Sequence, residues 1–384
     1  MKKIIRKIHL WISFPIGLII TIMCLTGAVL VFRTEIEETL FPERFFVKEI
    51  NGEPMTLDRL IPLINSQLEN NSVTGVSIPN NPKRNYMMSL AEGSRVTAYA
   101  NPYTGKLVEI SQFSNNFFAK IMQLHRWLLN TKIGKPITGY STLLFAIILI
   151  TGIIIVIPKN RKGVKQLYTI NVNKGWKRFW YDMHTSAGTL TCMILLVLAL
   201  TGLTWSFSWY NVGVYKLFGA ELPAMNHNQH NRGNQQQTHG NQQTDRNKHS
   251  DRGQQTDRGE TKTQSIDFTH WQDILEKIKG QNADYKTIAI QNESVTVSQK
   301  RIWGNARAAD KYTFDAKTGE ITNYQPYAKA DKSTKIRGWL YTLHVGAWGG
   351  LFSKIITFIA ALVGASLPLT GYYIFYKKRK RRKK

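Results

Sequence analysis

Cysteine is nearly absent: the chain has two in 384 residues, Cys24 and Cys192. Both fall inside apolar runs, and the segments 33–115 and 210–340 have none. That excludes a disulfide framework and a thiolate metal cluster, and both thiols read as small apolar packing groups. Acidic residues are also scarce, 25 Asp and Glu against 51 Lys and Arg, for a formal net charge of +26. No Gly-rich fingerprint follows a strand, so the chain carries no nicotinamide or flavin domain of its own.

What is present is concentrated in blocks. Four apolar runs, at about 8–32, 137–157, 185–209 and 351–375, each approach the roughly 20 residues that cross a bilayer as a helix. The first reads as a retained helix and not a cleaved leader. It exceeds the roughly 7–15 residues of a signal core, and no small-x-small site follows at Arg33-Thr34-Glu35.

Charge alternates with these runs. Residues 1–8 carry four Lys/Arg, 158–180 carry seven and no acid, and 377–384 are all basic. Basic clusters on one side of alternate spans place both termini and the 158–180 loop in the cytoplasm, in an inner membrane, with 33–115 and 210–340 outside. The basic tail suits anionic lipid headgroups, and nucleic acid is not an expected partner.

The spans repeat. His9 precedes Thr26-Gly27 by 17 residues, His125 precedes Thr151-Gly152 by 26, His184 precedes Thr201-Gly202 by 17, and His344 precedes Thr370-Gly371 by 26. This is a parallel duplication of one two-helix unit. The outer inserts correspond too. Segments 99–108 and 312–321 each read as a β-hairpin with an Asn-Pro or Asp-Ala turn and a glycine suited to positive φ, and 57–68 and 271–278 have helical periodicity. A small helix-plus-sheet module is therefore expected twice.

Residues 225–265 are rich in Asn, Gln, His, Asp and Arg and lack a core-forming pattern, so they read as a disordered linker in which His227, His230, His239 and His249 belong to a solvated tract. Amphipathic stretches at 117–129 and 336–344 precede spans two and four and are followed by Gly/Pro breaks. A continuous helix from 125 to 157 would overshoot the hydrocarbon core, so both stretches read as interfacial elbows carrying His125 and His344 beside Trp127, Trp339, Tyr341 and Trp348. The expected partition is a first membrane helix at 1–33, an outer module at 34–113, an elbow and second helix at 114–158, and a basic loop at 159–180. A third helix at 181–210, an outer module at 211–335, an elbow and fourth helix at 336–376, and a basic tail at 377–384 complete it.

Histidines in or beside membrane spans point to function. Repeat symmetry pairs His9 with His184 at the inner face and His125 with His344 at the outer face. Metal bound without a porphyrin wants three or more converging ligands, often with carboxylate or thiolate help, and Asp182 is the only acid near His184. Two imidazoles per tier suit haem iron, whose other ligands come from the porphyrin. Two b-type haems are thus expected. Gly17 and Gly188 lie on the histidine-bearing helix faces, where small residues leave a slot for a cofactor or allow close helix packing. The Thr-Gly pairs read as packing positions, with Thr bonding a carbonyl one turn earlier.

The segments from Lys7-Ile8-His9-Leu10-Trp11 to Thr26-Gly27, from Leu124-His125-Arg126 to Thr151-Gly152, and from Tyr181-Asp182-Met183-His184 to Thr201-Gly202, with the two Thr-Gly hairpins, resemble the PepSY-associated transmembrane family. The resemblance covers nearly the whole chain except 225–265. It implies a four-helix membrane α-helical unit with two small α+β PepSY-like extracytoplasmic modules. In the family's reductase members it implies two haems, which carries the haem-ligand role onto His9, His125, His184 and His344. The expected function is an inner-membrane di-haem b-type oxidoreductase that reduces a periplasmic ferric chelate, a ferric siderophore in the family's reductases, and releases Fe(II). The electron donor is external, a cytoplasmic reductase or quinol. The alternative is a PepSY-type binding or regulatory membrane protein without redox activity; a siderophore permease lacks the broken polar helices of transporters. Trp303, Arg301 and Arg307 are candidate contacts for an anionic chelate, against ordinary strand and loop roles.

Overall fold

The computed structural model describes residues 2–69, 71–91, 96–158, 164, 167–222, 266–300 and 302–382. The tract 225–265 with its four histidines, residues 159–163, 165 and 166 of the basic loop, and Arg301 lie outside the described residues.

Four helices are long and apolar enough to cross a membrane: Lys2–Val31, Gly134–Val156, Trp176–Ser206 and Gly350–Lys380. Even the shortest, at 23 residues, is about 35 Å long, more than the ~30 Å hydrocarbon core. The first span packs against the second and fourth, and the third packs against the same two, so the bundle closes as a ring in chain order. Ile16, Ile20, Phe145, Leu149, Cys192 and Leu195 fill its middle. Cys192 Sγ lies 3.6 Å from the Leu149 carbonyl, and both cysteines are free, in keeping with packing roles.

The elbows are real helices, Phe117–Trp127 and Lys332–His344. The second starts four residues earlier than the periodicity predicts, because Asp331 caps it by accepting from Thr334 N at 2.7 Å. Asn116 caps the first by accepting from Ala119 N at 2.8 Å. Leu128 and Leu129 then take left-handed φ of 48° and 65°, which turns the chain sharply into the second span. Gly134 presses against the Trp127 carbonyl at this corner so closely that no Cβ fits.

The two expected outer modules are joined into one eight-stranded antiparallel sheet. Its strands are β1 (Val73–Pro79), β2 (Tyr86–Leu90), β3 (Val96–Ala100), β4 (Leu107–Gln112), β5 (Tyr285–Gln291), β6 (Ser294–Gln299), β7 (Ala309–Phe314) and β8 (Ile321–Gln325). Their order is β4-β3-β2-β1-β5-β6-β7-β8. The seam pairs Val76 with Ile290 and Ile78 with Ile288. Two four-stranded modules would each leave β1 or β5 as an unpaired edge, and pairing the two satisfies both backbones.

Helices Leu57–Asn65 and Trp271–Gln281 share a single core with the sheet, built from Leu60, Ile64, Met88, Trp271, Ile278 and Ile288 among others. Leu57 N donates to Gln272 Oε1 at 2.9 Å, tying one half's helix to the other's. Both predicted hairpins form. Asn101 Oδ1 accepts from Tyr103 N and Asp315 Oδ1 from Lys317 N, and Gly105 and Gly319 each take a φ of +67°.

Candidate functional site

The four repeat-matched histidines meet as two pairs. The rings of His9 and His184 have centroids 6.4 Å apart with planes at 88°. Those of His125 and His344 have centroids 6.2 Å apart with planes at 58°. The first pair lies near the two chain termini and the second on the side of the sheet. His9 and Thr26 mark the two levels on one helix, and 17 residues separate them, about 26 Å of helix. Among the described residues, no group of three or more His, Cys, Asp or Glu is placed to hold a metal ion.

Each ring is held on its Nδ1 side by a Thr-Gly pair of another helix. Thr151 Oγ1 lies 3.0 Å from His9 Nδ1, Thr26 Oγ1 3.1 Å from His125 Nδ1, Thr370 Oγ1 2.9 Å from His184 Nδ1, and Thr201 Oγ1 3.1 Å from His344 Nδ1. In three of the four, the carbonyl three residues before the threonine also bonds Nδ1: Met23 at 2.9 Å, Leu367 at 3.1 Å and Leu198 at 3.0 Å. Among the described residues no hydrogen bond reaches Nε2 of any of these four histidines.

The partnership has a definite wiring. All four Thr-to-His contacts stay inside one half of the chain, 9–151 or 184–370, whereas both His-to-His pairs cross between halves. Burial lowers the basicity of His125 and, together with the His125 charge, takes His344 down to about 4. Both elbow imidazoles are therefore neutral at neutral pH, the form that ligates metal.

Other predicted residues fall elsewhere. A Cβ at Gly17 would strike Tyr372, and one at Gly188 would lie 3.1 Å from Leu367 Cδ2. Both glycines spend their small size on packing against the fourth span. Asp182 does not join the histidines. Its buried carboxylate accepts from Asn171 N at 3.0 Å and Arg178 Nε at 3.0 Å, which folds the loop before the third span.

Three features were not read from the sequence. His184 sits in a π-helical turn, Met183–Ala187, that interrupts the third span; such turns concentrate at functional sites. Trp205, one turn beyond Thr201, lies 5.0 Å from the His344 ring. The third is a latch between the β6–β7 loop and the second elbow. Asn305 Nδ2 donates to the Tyr327 hydroxyl at 2.7 Å, its Oδ1 accepts from Thr342 Oγ1 at 3.1 Å, and Ala306 N donates to Thr342 Oγ1 at 3.0 Å. Arg307 stacks on Tyr341 at 3.6 Å from its ring centroid, and Trp303 packs on Trp348 with centroids 5.9 Å apart. Asn305→Ala is expected to cost about 1–3 kcal/mol by removing the acceptor of the buried Thr342 hydroxyl and the donor to the part-buried Tyr327 hydroxyl. Faster hydrogen exchange confined to 302–308 and 332–344 checks this.

Fold and site together define a four-span membrane protein whose two halves each bring one histidine to each of two tiers. The family described as PepSY-associated TM region matches residues 6–378. The chain belongs to that family. No curated protein matches it.

Proposed function

We propose that this protein is a di-haem b-type oxidoreductase of the inner membrane that passes electrons outward to a ferric chelate, a ferric siderophore, and releases Fe(II). The observation that carries the reading is the spacing of the paired imidazoles. Two facing imidazoles at this separation have room for one metal ion between them and no third protein ligand among the described residues, the donor set that suits haem iron. The pairs stand at 6.4 and 6.2 Å. His9 and His184 would hold one haem, and His125 and His344 the other. Bis-histidine haem supplies reversible one-electron transfer and leaves no open position on iron.

The chain's own residues supply the rest. Thr26, Thr151, Thr201 and Thr370 orient the ligands, and the apolar middle of the bundle, around Phe145 and Leu195, excludes water between the tiers. The matching halves support a parallel duplication. Lys2 Nζ bonds the Ile157 carbonyl, which gathers the N-terminus beside the 158–180 loop; with the basic tail at 377–384 this supports termini in the cytoplasm. One electron from an external reductase or quinol converts each Fe(III) to Fe(II), and the chelate releases the weaker-bound ion.

The test is direct. Full-length protein purified from haem-replete cells and reduced without air should be reoxidised by a ferric chelate, with one Fe(II) trapped per electron lost. A reduced spectrum that the ferric chelate leaves unchanged would sink the proposal.

A further inference from the structure

We infer that each Thr-Gly pair is a histidine socket, in which the Thr hydroxyl, joined at His125, His184 and His344 by the carbonyl three residues before it, fixes the ring's Nδ1–H tautomer while the glycine leaves room for Cε1. The consequence is that Nε2 of each of these four histidines, which no hydrogen bond engages among the described residues, is left as the free lone-pair nitrogen. The functional readouts rest on the di-haem reading, but the socket itself does not.

The tautomer follows from donor and acceptor rules. A backbone carbonyl only accepts, so the Nδ1 atoms bonded to Met23, Leu198 and Leu367 must carry the proton. The threonines agree. Thr26 and Thr201 already donate their single hydroxyl proton to Ile22 and Val197 carbonyls at 2.7 Å, and Thr151 and Thr370 to Ile148 and Leu367 carbonyls at 2.9 Å. Each oxygen is left free to accept from Nδ1–H. A protonated Nδ1 makes Nε2 the lone-pair nitrogen.

The glycines lie against the rings. A Cβ at Gly27 would lie 3.2 Å from His125 Cε1 and at Gly202 3.1 Å from His344 Cε1, tighter than ordinary contact, while at Gly152 and Gly371 it would meet His9 Cε1 and His184 Cε1 at 3.4 Å, the near edge of contact. The same geometry recurs at all four positions, Gly27 matching Gly202 and Gly152 matching Gly371 in the repeat. A β-branched side chain adds two γ-carbons beyond a Cβ that already touches the ring. The sockets are positioning elements: nothing in them touches a substrate. Accepting the Nδ1 proton also makes the imidazole more basic, which favours the ferric state of an iron it ligates.

The experiment uses full-length protein with haem supplied during expression. His9→Ala and His125→Ala first assign the spectral component of each tier. Gly27→Val and Gly202→Val should then lose the His125/His344 haem alone, and Gly152→Val and Gly371→Val the His9/His184 haem alone. The retained haem reports that each variant is folded. Thr26→Val and Thr151→Val should keep both haems and raise the midpoint potential of only the tier they serve, with Thr→Ser restoring it.

Loss of the wrong haem, or Thr→Val variants whose potentials match wild type, would overturn the sockets. Should a Gly→Val variant fail to fold, the Thr→Val potentials decide. Wild type without haem would remove the proposed function while leaving the sockets testable: ¹⁵N-imidazole spectra of the haem-free protein should show Nδ1 protonated at all four rings. Nε2-protonated rings would refute the inference.

Discussion

Alanine at His125 or His344 is expected to abolish Fe(II) release from a ferric chelate while leaving one reducible haem in the protein. The two imidazoles are 6.2 Å apart between centroids, one on each elbow, and among the described residues no third ligand group accompanies them. Removing either leaves iron with a single protein ligand, and the ring that remains is still gripped by Thr26 or Thr201 on its far side. It cannot move to compensate. The haem that His9 and His184 would hold lies about 26 Å of helix away, on the side of the basic termini. Anaerobic reduction should therefore proceed at half the wild-type haem content, and added chelate should yield no trapped Fe(II). Wild-type rates of Fe(II) release in both variants would favour a binding or regulatory role for the sheet side.

Trp271→Ala is expected to give the largest loss of stability outside the membrane, about 3–5 kcal/mol. Trp271 is 1% exposed, packs edge-on against Phe268 with centroids 5.1 Å apart, and lies in the core shared by both halves of the sheet. Its indole Nε1 is buried without a partner. The side chain thus contributes area and shape rather than a hydrogen bond, and Trp271→Phe should cost far less. Because one core serves all eight strands, chemical denaturation should shift for β1–β4 together with β5–β8. Separate transitions, with 57–112 unaffected, would mean two independently stable modules.

Much of this architecture is legible in the sequence because it rests on local rules. Apolar run length marks the spans, and Asn101 to Gly105 and Asp315 to Gly319 write out their turns in side chains that bond neighbouring backbone. The equal intervals place His9 level with His184 and His125 level with His344, since residues matched by the repeat must share depth. What escaped is set by contacts between distant segments. The union of β1 with β5 depends on two edges from opposite halves meeting, which neither strand's alternation announces. Thr26, Thr151, Thr201 and Thr370 were visible as part of the pattern, but read as packing positions, because only the folded bundle brings each one to another helix's imidazole. Gly17 shows the converse. Its place on the His9 face fits a cofactor slot, yet Tyr372 from the fourth span occupies that space.

The central claim is that two histidine pairs, each shared between halves, hold two haems. The most direct test is the reduced-minus-oxidised spectrum, with haem content, of wild type beside the four single His→Ala variants. Two low-spin b-type components should appear in wild type, with His9→Ala and His184→Ala losing the same one and His125→Ala and His344→Ala losing the other. A colourless preparation from haem-replete cells, or His9→Ala and His184→Ala losing different components, would contradict it.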